Sequence, residues 1–412
     1  MILFEEALSR MLASIERMPQ TELPLSKLLG HVTARPIIAK LDSPPFDNSA
    51  VDGYGVRLQD VVNATEGKPV KLALKGTIRA GDPGSIKLPA KSALQILTGA
   101  CVPSTVEAVV MQEYCTRQGD HVLVQHVPVA GENIRRRGGE FLRGQLVLPE
   151  ARLATPPVVG CIANLGYSCF PVYRRPRAAV VTTGNELTKP GRALMPGMIY
   201  DSNSFAMMAA LQAFGLEECL HFHAAEEKLA TKRVMARALA FGDVVVSTGG
   251  VSVGEFDYVK AALEELGVKT EIWRIAIKPG KPVYFGVYYD AGRRRNKYIF
   301  GLPGNPVSAM ITYHQLVKPC LAKLIGLENA ANAIRLRAVL TKAIRKRPGR
   351  MEFLRGVVSS SGDKLCVEPT TGQDSHMLGG LAAANALIHF PLDAELIDEG
   401  SEVLVELLQW HP

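Results

Sequence analysis

The segment that decides the fold is a buried strand leading into a glycine-rich loop, Val245-Val246-Ser247-Thr248-Gly249-Gly250-Val251-Ser252-Val253-Gly254. Glycines in such a loop let backbone N–H groups approach a phosphate, and the N-terminus of a following helix adds partial positive charge. Thr248 and Ser252 supply hydroxyls. The alternative is an ordinary strand–turn–helix connection with serine caps. The loop matches neither the P-loop nor the dinucleotide fingerprint.

Segments typical of strands and helices alternate on both sides of this loop. We predict strands at 178–181, 216–223, 244–247, 269–277, 283–289 and 298–300, with helices at 204–214, 228–240, 257–266 and 306–324. This alternation predicts an open, mostly parallel sheet with helices on both faces.

The flanking regions have a different character. Residues 1–17 carry one apolar stripe and predict an amphipathic helix. Short β-like runs separated by turn residues predict a small β-rich domain from about 41 to 140, and a second helix is expected near 158–165. After about 330 strand-like runs dominate, with one short helix at 377–384, which predicts a β-barrel or a sandwich.

Ligands of an open α/β sheet bind outside the carboxyl ends of its strands. Two more strand ends are therefore candidate ligand-binding loops, Thr182-Thr183-Gly184-Asn185-Glu186 and Gly301-Leu302-Pro303-Gly304-Asn305-Pro306. Asn305 followed by Pro306 is explained as a helix N-cap with proline at the first helical position. Pro303 and Gly304 have no such structural explanation.

Charged residues of both signs occur near these strand ends. Glu186, Asp201 and Asp257 each follow a strand or begin a helix, where a divalent cation bridging phosphates finds oxygen ligands. Arg274 and Lys278 are four residues apart on one predicted strand and would share a face, with Lys281 across the following turn. Together these residues predict a pocket for an anionic, phosphate-bearing ligand.

Composition excludes several classes of protein. The chain has 412 residues with 47% apolar and 21% charged residues, which is typical of packed globular domains. No apolar run approaches the roughly 20 residues that cross a bilayer. Glu5 and Glu6 stand where a signal peptide carries positive charge, and the seven cysteines are scattered. We therefore expect a cytoplasmic protein with reduced thiols and no membrane contact.

The formal charge of +7 includes several arginine clusters, around residues 135–137, 174–177, 293–295 and 345–350. Solvated loops are the first interpretation, especially for 293–295. A small anionic ligand is second, and nucleic acid comes far behind because aromatic residues, 6% of the chain, are not interleaved with the clusters. His221 and His223 alternate on a strand without a third ligand at suitable spacing and are interpreted as ordinary strand residues.

A series of ordered motifs resembles the molybdopterin molybdenumtransferases, the MoeA family, to which the C-terminal domain of gephyrin is also related. The resemblance covers essentially the whole chain. The motifs are residues 47–54, 98–100, 133–138, 182–186, 199–203, 247–257, 278–282 and 301–306.

This resemblance implies a multi-domain fold. Its parts are an elongated domain from residues 1–40 and 139–174, a β-rich domain at 41–138, a doubly wound α/β molybdopterin-binding domain at 175–326 and a C-terminal β-barrel at 327–412. It also implies a homodimer with the α/β domain of one subunit facing the β-rich domain of the other. The implied reaction inserts molybdate into adenylylated molybdopterin, with Mg²⁺, and releases AMP. Transient contacts with other proteins of molybdenum cofactor biosynthesis are expected.

Functional positions of the family are carried over residue by residue. Glu186 and Asp257 would handle metal and phosphate together with Asp201, Lys278 would bind an anion, and Asp52 would reach in from the partner subunit. The expected substrate-binding positions are Thr248, Gly249, Gly250, Ser252, Gly254, Arg274, Lys281, Pro303, Gly304, Asn305 and Pro306.

The sequence departs from the family pattern at a few positions. Gly138-Gly139-Glu140 replaces the usual Gly-Glu-Asp, so Glu140 stands in for the second acid, and Arg274 replaces a common lysine. Three rival functions are a molybdopterin adenylyltransferase, a binding scaffold and an inactive paralogue. The adenylyltransferases carry Gly-Gly-Thr-Gly in the loop, whereas Val251 and Ser252 follow Gly250 here.

Overall fold

The computed structural model describes residues 2–250, 258–327 and 334–410. These residues form two compact units, one of residues 2–34, 151–155 and 171–410 and another of residues 35–150 and 156–170. No described helix combines the length and apolarity that crossing a membrane requires.

A six-stranded sheet forms the centre of the larger unit. Its strands are β1 (Ala178–Thr183), β2 (Cys219–Ala224), β3 (Val244–Thr248), β4 (Lys269–Trp273), β5 (Tyr284–Asp290) and β6 (Arg295–Leu302). The order across the sheet is β2-β1-β3-β6-β5-β4. The first four strands in this order are parallel, and β5 and β4 are antiparallel to their neighbours. The predicted open, mostly parallel sheet is confirmed.

Helices cover both faces of this sheet, and β1 and β3 are therefore buried along their whole length. Val180 and Val246 pack on one face with Met207 and Leu211 of the helix Asn203–Ala213. On the other face, Val181 and Val245 pack with side chains of the helices Lys228–Phe241 and Tyr258–Glu265. Continuous valine runs are expected in strands that are buried on both sides.

The last helical segment of the α/β region is nearly all buried. It consists of an α-helix at Pro306–Thr312, a π-helical turn at Tyr313–Val317 and a second α-helix at Lys318–Leu324. The predicted helix over 306–324 is therefore confirmed, with a π turn in its middle. The amphipathic N-terminal helix is also confirmed, at Phe4–Ser14, and its buried residues belong to the same core.

Residues after 334 form a small closed barrel. Its five strands are Arg335–Leu340, Met351–Ser361, Lys364–Pro369, Ala386–Phe390 and Glu402–Leu407. The ring of strands is closed because Met351–Ser361 pairs with Ala386–Phe390 as well as with Lys364–Pro369. A short helix, Leu378–Ala382, interrupts the strands. Of the two architectures that the sequence left open, the barrel is the one observed.

A buried carboxylate connects the barrel to the π turn. Gln315 donates a hydrogen bond of 2.7 Å to Glu406, and His314 Nδ1 lies 3.2 Å from the same oxygen. His389 Nε2 and Arg335 Nε lie 3.2 and 3.3 Å from the other oxygen. Burial raises the pKa of Glu406, but the nearby His314 and His389 side chains outweigh it and hold that pKa well below its ordinary value. The contribution of this carboxylate to stability is therefore present at neutral pH and is lost as the pH falls.

The predicted continuous strand over 269–277 is wrong. Strand β4 ends at Trp273, Arg274 takes a left-handed φ of 67°, and a separate short strand, Ile277–Lys278, pairs with the barrel strand Met351–Ser361. The break is stabilised by backbone hydrogen bonds from Arg274 to Val283 and from Ile275 to Lys281. Arg274 and Lys278 therefore do not share one face of a strand.

The interpretation of Arg293-Arg294-Arg295 as a solvated loop is correct for Arg293 and Arg294, which lie in an exposed turn, and wrong for Arg295, which is partly buried in a strand. Arg295 begins β6 and Arg293 precedes it, and both contact Asp243, at 2.5 and 3.2 Å. Arg174 reaches the other oxygen of Asp243 at 2.7 Å. The carboxylate is 1% exposed and lies immediately before β3. Arg174 and the neighbouring pair Arg293 and Arg295, each at least 50 residues from Asp243 in sequence, therefore converge on one buried acid.

The smaller unit is built around a second six-stranded sheet. In spatial order its strands are Ala108–Met111, Gly53–Val56, Ser92–Ile96, Val70–Ile78, His121–Val124 and Cys115–Gln118. Two short pairs flank it, Asn48–Ser49 with Ile134–Arg135 and Ile37–Ile38 with Leu146–Leu148. Its helices are Leu58–Val61 and Pro156–Asn164. The β-rich domain expected from the turn spacing is confirmed.

Short elements complete the two units. They are the strands Gln20–Pro24, Cys169–Tyr173, Leu187–Thr188, Ile199–Tyr200, Ile344–Arg345 and Leu396–Ile397, and the 3₁₀ turns Leu25–Lys27 and Gln112–Tyr114.

We predict that Asp243→Ala lowers the free energy of unfolding by about 3–5 kcal/mol, because it leaves three guanidinium groups without their buried partner. Burial raises the pKa of Asp243, but hydrogen bonds from the Arg177 backbone and from Arg174 lower it below its ordinary value. The stabilisation should therefore be lost as the pH falls. Urea denaturation at pH 7 and pH 4 measures both effects.

The control is Glu368→Ala, which removes the partner of Lys342 from an exposed pair and should cost less than about 1 kcal/mol. Equal losses for the two variants would contradict the role assigned to Asp243.

Candidate active site

The carboxyl ends of β3 and β6 lie side by side, since Thr248 is in register with Leu302. The Gly249 N–H continues this pairing with a hydrogen bond of 3.1 Å to the Leu302 carbonyl. Gly249 has φ 83°, and a Cβ there would lie 2.8 Å from the Thr183 hydroxyl. The loop after β3 therefore lies so close to the end of β1 that only glycine fits at position 249.

A cavity of about 570 Å³ opens at this edge and is here called the acidic cavity. Its lining includes three carboxylates and both strand-end loops: Thr183, Glu186, Asp201, Glu226, Thr248, Gly249, Gly250, Pro303, Gly304, Asn305 and Pro306. The structure thus brings together most of the sequence-predicted binding positions within its described ranges. Ser252, Gly254 and Asp257 lie outside the described residues.

The carboxylates of the acidic cavity differ in their surroundings. Glu186 makes no side-chain hydrogen bond or ion pair with a described residue, so its oxygens are available to a ligand. Asp201 is 7% exposed and accepts a hydrogen bond of 2.9 Å from the Ser204 N–H in the first turn of the helix Asn203–Ala213. Its other oxygen lies 3.4 Å from the Thr182 hydroxyl and 3.8 Å from His221 Nε2. Asp201 therefore has a structural role as a helix cap, whatever else it binds.

Buried hydroxyls beneath the glycine loop are unpaired among the described residues. Thr183, Ser247 and Thr248 each hold a side-chain oxygen away from solvent without a hydrogen-bond partner in that part of the chain. An unsatisfied buried hydroxyl costs free energy. These hydroxyls are therefore suited to a polar ligand or to ordered water at the loop.

A second cavity, of about 610 Å³, adjoins the first and is here called the basic cavity. The two share Pro282, Pro303 and Asn305. Four cations line the basic cavity, which lies between the α/β sheet and the barrel: Lys278, Lys281, Arg345 and Arg350. The anion pocket expected from Lys278 and Lys281 is thus supplemented by two barrel arginines that the sequence did not single out as a site.

Lys278 is positioned by the barrel. Its ammonium donates a hydrogen bond of 3.1 Å to Glu352, which is 4% exposed, while Lys278 itself is half exposed. The turn that follows packs tightly, because a Cβ at Gly280 would lie 2.3 Å from Thr312. Arg274 lines neither cavity, and its expected role in substrate binding stays a prediction.

A barrel loop completes both cavities. Ser375 lines the basic cavity and accepts a hydrogen bond of 2.9 Å from Asn305, and His376 lines the acidic cavity. The loop is held by Arg355, whose guanidinium is fully buried and donates hydrogen bonds to the Gly372 and Asp374 carbonyls at 2.6 and 3.4 Å. The Gln373 amide adds a hydrogen bond of 2.8 Å to the Arg355 carbonyl. Sequence reasoning missed this loop because its residues match no motif.

Comparison with known proteins identifies the family. Three family models match the chain in order: the MoeA N-terminal region (domain I and II) at residues 2–166, a probable molybdopterin binding domain at 179–323 and the MoeA C-terminal region (domain IV) at 337–408. The molybdopterin molybdenumtransferase of Haemophilus influenzae is 35% identical over 98% of both chains. The chain belongs to the MoeA family. The family recognised from the motifs is confirmed, and so is the enzyme class, a transferase.

Other members agree with this assignment. Molybdopterin molybdenumtransferase 2 of Mycobacterium tuberculosis is 33% identical over 93% of this chain and 94% of the relative. The crystal structure of the molybdopterin biosynthesis MoeA protein from Pyrococcus horikoshii OT3 covers 99% of this chain and 100% of its own, with a TM-score of 0.82 and 28% identity. The multi-domain MoeA fold, with its α/β, β-rich and barrel parts, is therefore confirmed.

Two further site residues expected from the MoeA resemblance lie in the smaller unit. Asp52 is exposed, and one of its oxygens accepts hydrogen bonds from the Thr98 N–H and hydroxyl at 2.6 and 2.8 Å. These bonds, led by that of the backbone N–H, lower the pKa of Asp52. Glu140, at the position that departs from the MoeA pattern, accepts a hydrogen bond of 2.9 Å from Ser43. Both acids are thus held in place, and their catalytic roles stay predictions.

We predict that Asp201→Ala lowers the free energy of unfolding by about 1 kcal/mol, because the helix Asn203–Ala213 loses its cap. Asp201→Asn keeps an acceptor oxygen and should lose much less. Chemical denaturation of both variants, with Glu186→Gln as a control that breaks no described hydrogen bond, measures this difference. A loss for Asp201→Asn as large as that for Asp201→Ala would contradict the capping role.

We predict that Arg355→Met releases the loop at 372–376. Losing hydrogen bonds from a charged group costs about 1.5–3 kcal/mol, which corresponds to about a tenfold or greater increase in local opening. Hydrogen exchange of the loop amides measures this, and Arg337→Met, an exposed arginine on another barrel strand, is the control. Unchanged exchange in Arg355→Met would show that the loop is held by other contacts.

Proposed function

We propose that the protein inserts molybdate into adenylylated molybdopterin and releases AMP, in a Mg²⁺-dependent reaction of molybdenum cofactor biosynthesis. The observation that carries this proposal is the pair of adjoining cavities, one lined by carboxylates and hydroxyls and the other by four cations. Both substrates are anions, and the two cavities meet at Pro282, Pro303 and Asn305.

The basic cavity suits molybdate. A dianionic oxyanion needs several converging cations and hydroxyl donors, which Lys281, Arg345 and Arg350 supply together with Ser308 and Ser375. Lys281, Arg345 and Arg350 make no ion pair with described residues, so their charge is available to a ligand. Lys278 is already paired with Glu352, and we assign it to orienting the anion at the junction of the two cavities.

The acidic cavity suits the phosphates of the pterin substrate. Backbone N–H groups after β3, the hydroxyls of Thr183 and Thr248, which are unpaired among the described residues, and the glycines at 249 and 250 allow a pyrophosphate to lie close to the main chain. Three carboxylates are proposed as metal ligands. Glu186 makes no hydrogen bond or ion pair with described residues, and Asp201 is partly engaged as a helix cap. Asp257 is proposed from the family resemblance alone. Such an oxygen set fits Mg²⁺, which would neutralise charge on bridged phosphate oxygens.

Several further features belong to this proposal. The protein would be a cytoplasmic homodimer, with Asp52 acting from the partner subunit and Glu140 as a further catalytic residue. Proteins that supply the adenylylated pterin or accept the product would make transient contacts.

The decisive experiment measures AMP release from adenylylated molybdopterin with and without molybdate, and with Mg²⁺ or EDTA. We expect release to require both ions. Glu186→Gln and Lys281→Met should each lower the rate about 100-fold, as expected when one charged group that stabilises the transition state is removed. Lys342→Met, an exposed lysine on the barrel, should retain the wild-type rate.

The other outcomes separate the rival functions. Tight binding of the substrate without AMP release would contradict catalysis and indicate a scaffold or an inactive paralogue. Synthesis of the adenylylated pterin from ATP would indicate an adenylyltransferase.

A further inference from the structure

The basic cavity contains a buried acid beside its four cations. Its lining includes two carboxylates, the buried Glu352 and the exposed Asp374. A carboxylate close to a bound oxyanion repels it. Glu352 therefore opposes the binding that the surrounding cations provide, so its place in an anion site needs a separate explanation.

The backbone fixes Glu352 on both sides. It belongs to the barrel strand Met351–Ser361, which pairs with Ile277–Lys278 on one side and with Ala386–Phe390 on the other. In the first of these pairings, Glu352 is the direct register partner of Lys278. The carboxylate thus has a defined position relative to the lysine backbone.

The Lys278 side chain is ordered at its tip. It is 51% exposed and has a flexible four-carbon stem, whereas the Glu352 side chain is 5% exposed. Their contact of 3.1 Å is the only ion pair that Glu352 makes with a described residue. Lys346 lies near Glu352, but its ammonium donates to the Arg350 and Leu392 carbonyls at 2.8 and 3.0 Å. Glu352 therefore selects the orientation of the Lys278 ammonium.

We propose that Glu352 is a positioning residue for Lys278. Its carboxylate holds the ammonium in the orientation that turnover requires and keeps it from closing on the bound oxyanion. This role rests on the proposed function, since it concerns molybdate in the basic cavity. A Lys278 side chain released from Glu352 binds the oxyanion more tightly in the ground state, and tighter ground-state binding alone does not raise the rate of the chemical step.

The test compares molybdate binding with turnover in Glu352→Gln, which keeps the size of the side chain and removes its charge. In calorimetric titration of the full-length protein without the pterin, we expect molybdate to bind about three- to tenfold more tightly, because a repelling charge is lost and Lys278 is released. At saturating molybdate, we expect AMP release to slow about 10- to 100-fold, because the ammonium loses its orientation. A purely structural role would instead weaken binding and slow turnover together.

Three further variants serve as controls. Glu352→Asp keeps the negative charge and should bind molybdate with the wild-type affinity. Glu368→Gln removes a charge from the exposed pair with Lys342 on the same barrel and should change neither binding nor turnover. Added to Lys278→Met, Glu352→Gln should slow turnover no further, because Glu352 acts through that ammonium.

Two results would overturn the proposal. One is molybdate binding that Glu352→Gln leaves unchanged or weakens, and the other is an equal slowing of turnover by Glu352→Gln with and without Lys278. A wild-type protein that binds molybdate but releases no AMP would contradict the proposed function instead. In that case the change of molybdate affinity in Glu352→Gln still decides the role of Glu352.

Discussion

The parallel pairing of β3 with β6 is the constraint on which the site depends. Five consecutive residue pairs, from Val244 with Tyr298 to Thr248 with Leu302, bring two chain segments that are 54 residues apart to the same edge. Because both strands run in one direction, their following loops must meet there. Gly249 and Gly250, the Pro303-Gly304 turn and the N-terminus of the long buried helix are all positioned by this one register.

The sequence predicted those elements that depend on residues close together in the chain. Buried valine runs marked β1 and β3, and the strand-end loops followed from the parallel topology. The break at Arg274 carried no such signal, since Trp273 to Ile277 reads as an alternating strand and a left-handed arginine is held only by contacts with residues 281–283. The roles of Asp243 and Arg355 were equally hidden, because their partners are brought together only by the tertiary fold.

The sequence predicted only two of the four cations of the basic cavity, because the other two are brought there by the tertiary fold. Lys278 and Lys281 lie in one short motif, whereas Arg345 and Arg350 come from the barrel and reach the α/β edge through packing. The Glu406 cluster belongs to this packing, because it joins a barrel strand to the π turn of the helix that begins at the site. A candidate site assembled from two folded parts depends on such buried contacts for its geometry.

The closed barrel also affects how the molecule meets its neighbours in solution. Open sheets present unpaired backbone groups at their edges, and these are templates for strand addition and aggregation. The five barrel strands have no such edge, since the ring is complete. In the central sheet the outer strand β4 carries Lys269 and Glu271, paired at 2.7 Å, and charges of this kind resist strand addition. Of the barrel and the central sheet, β2 is thus left as the strand edge least protected against self-association.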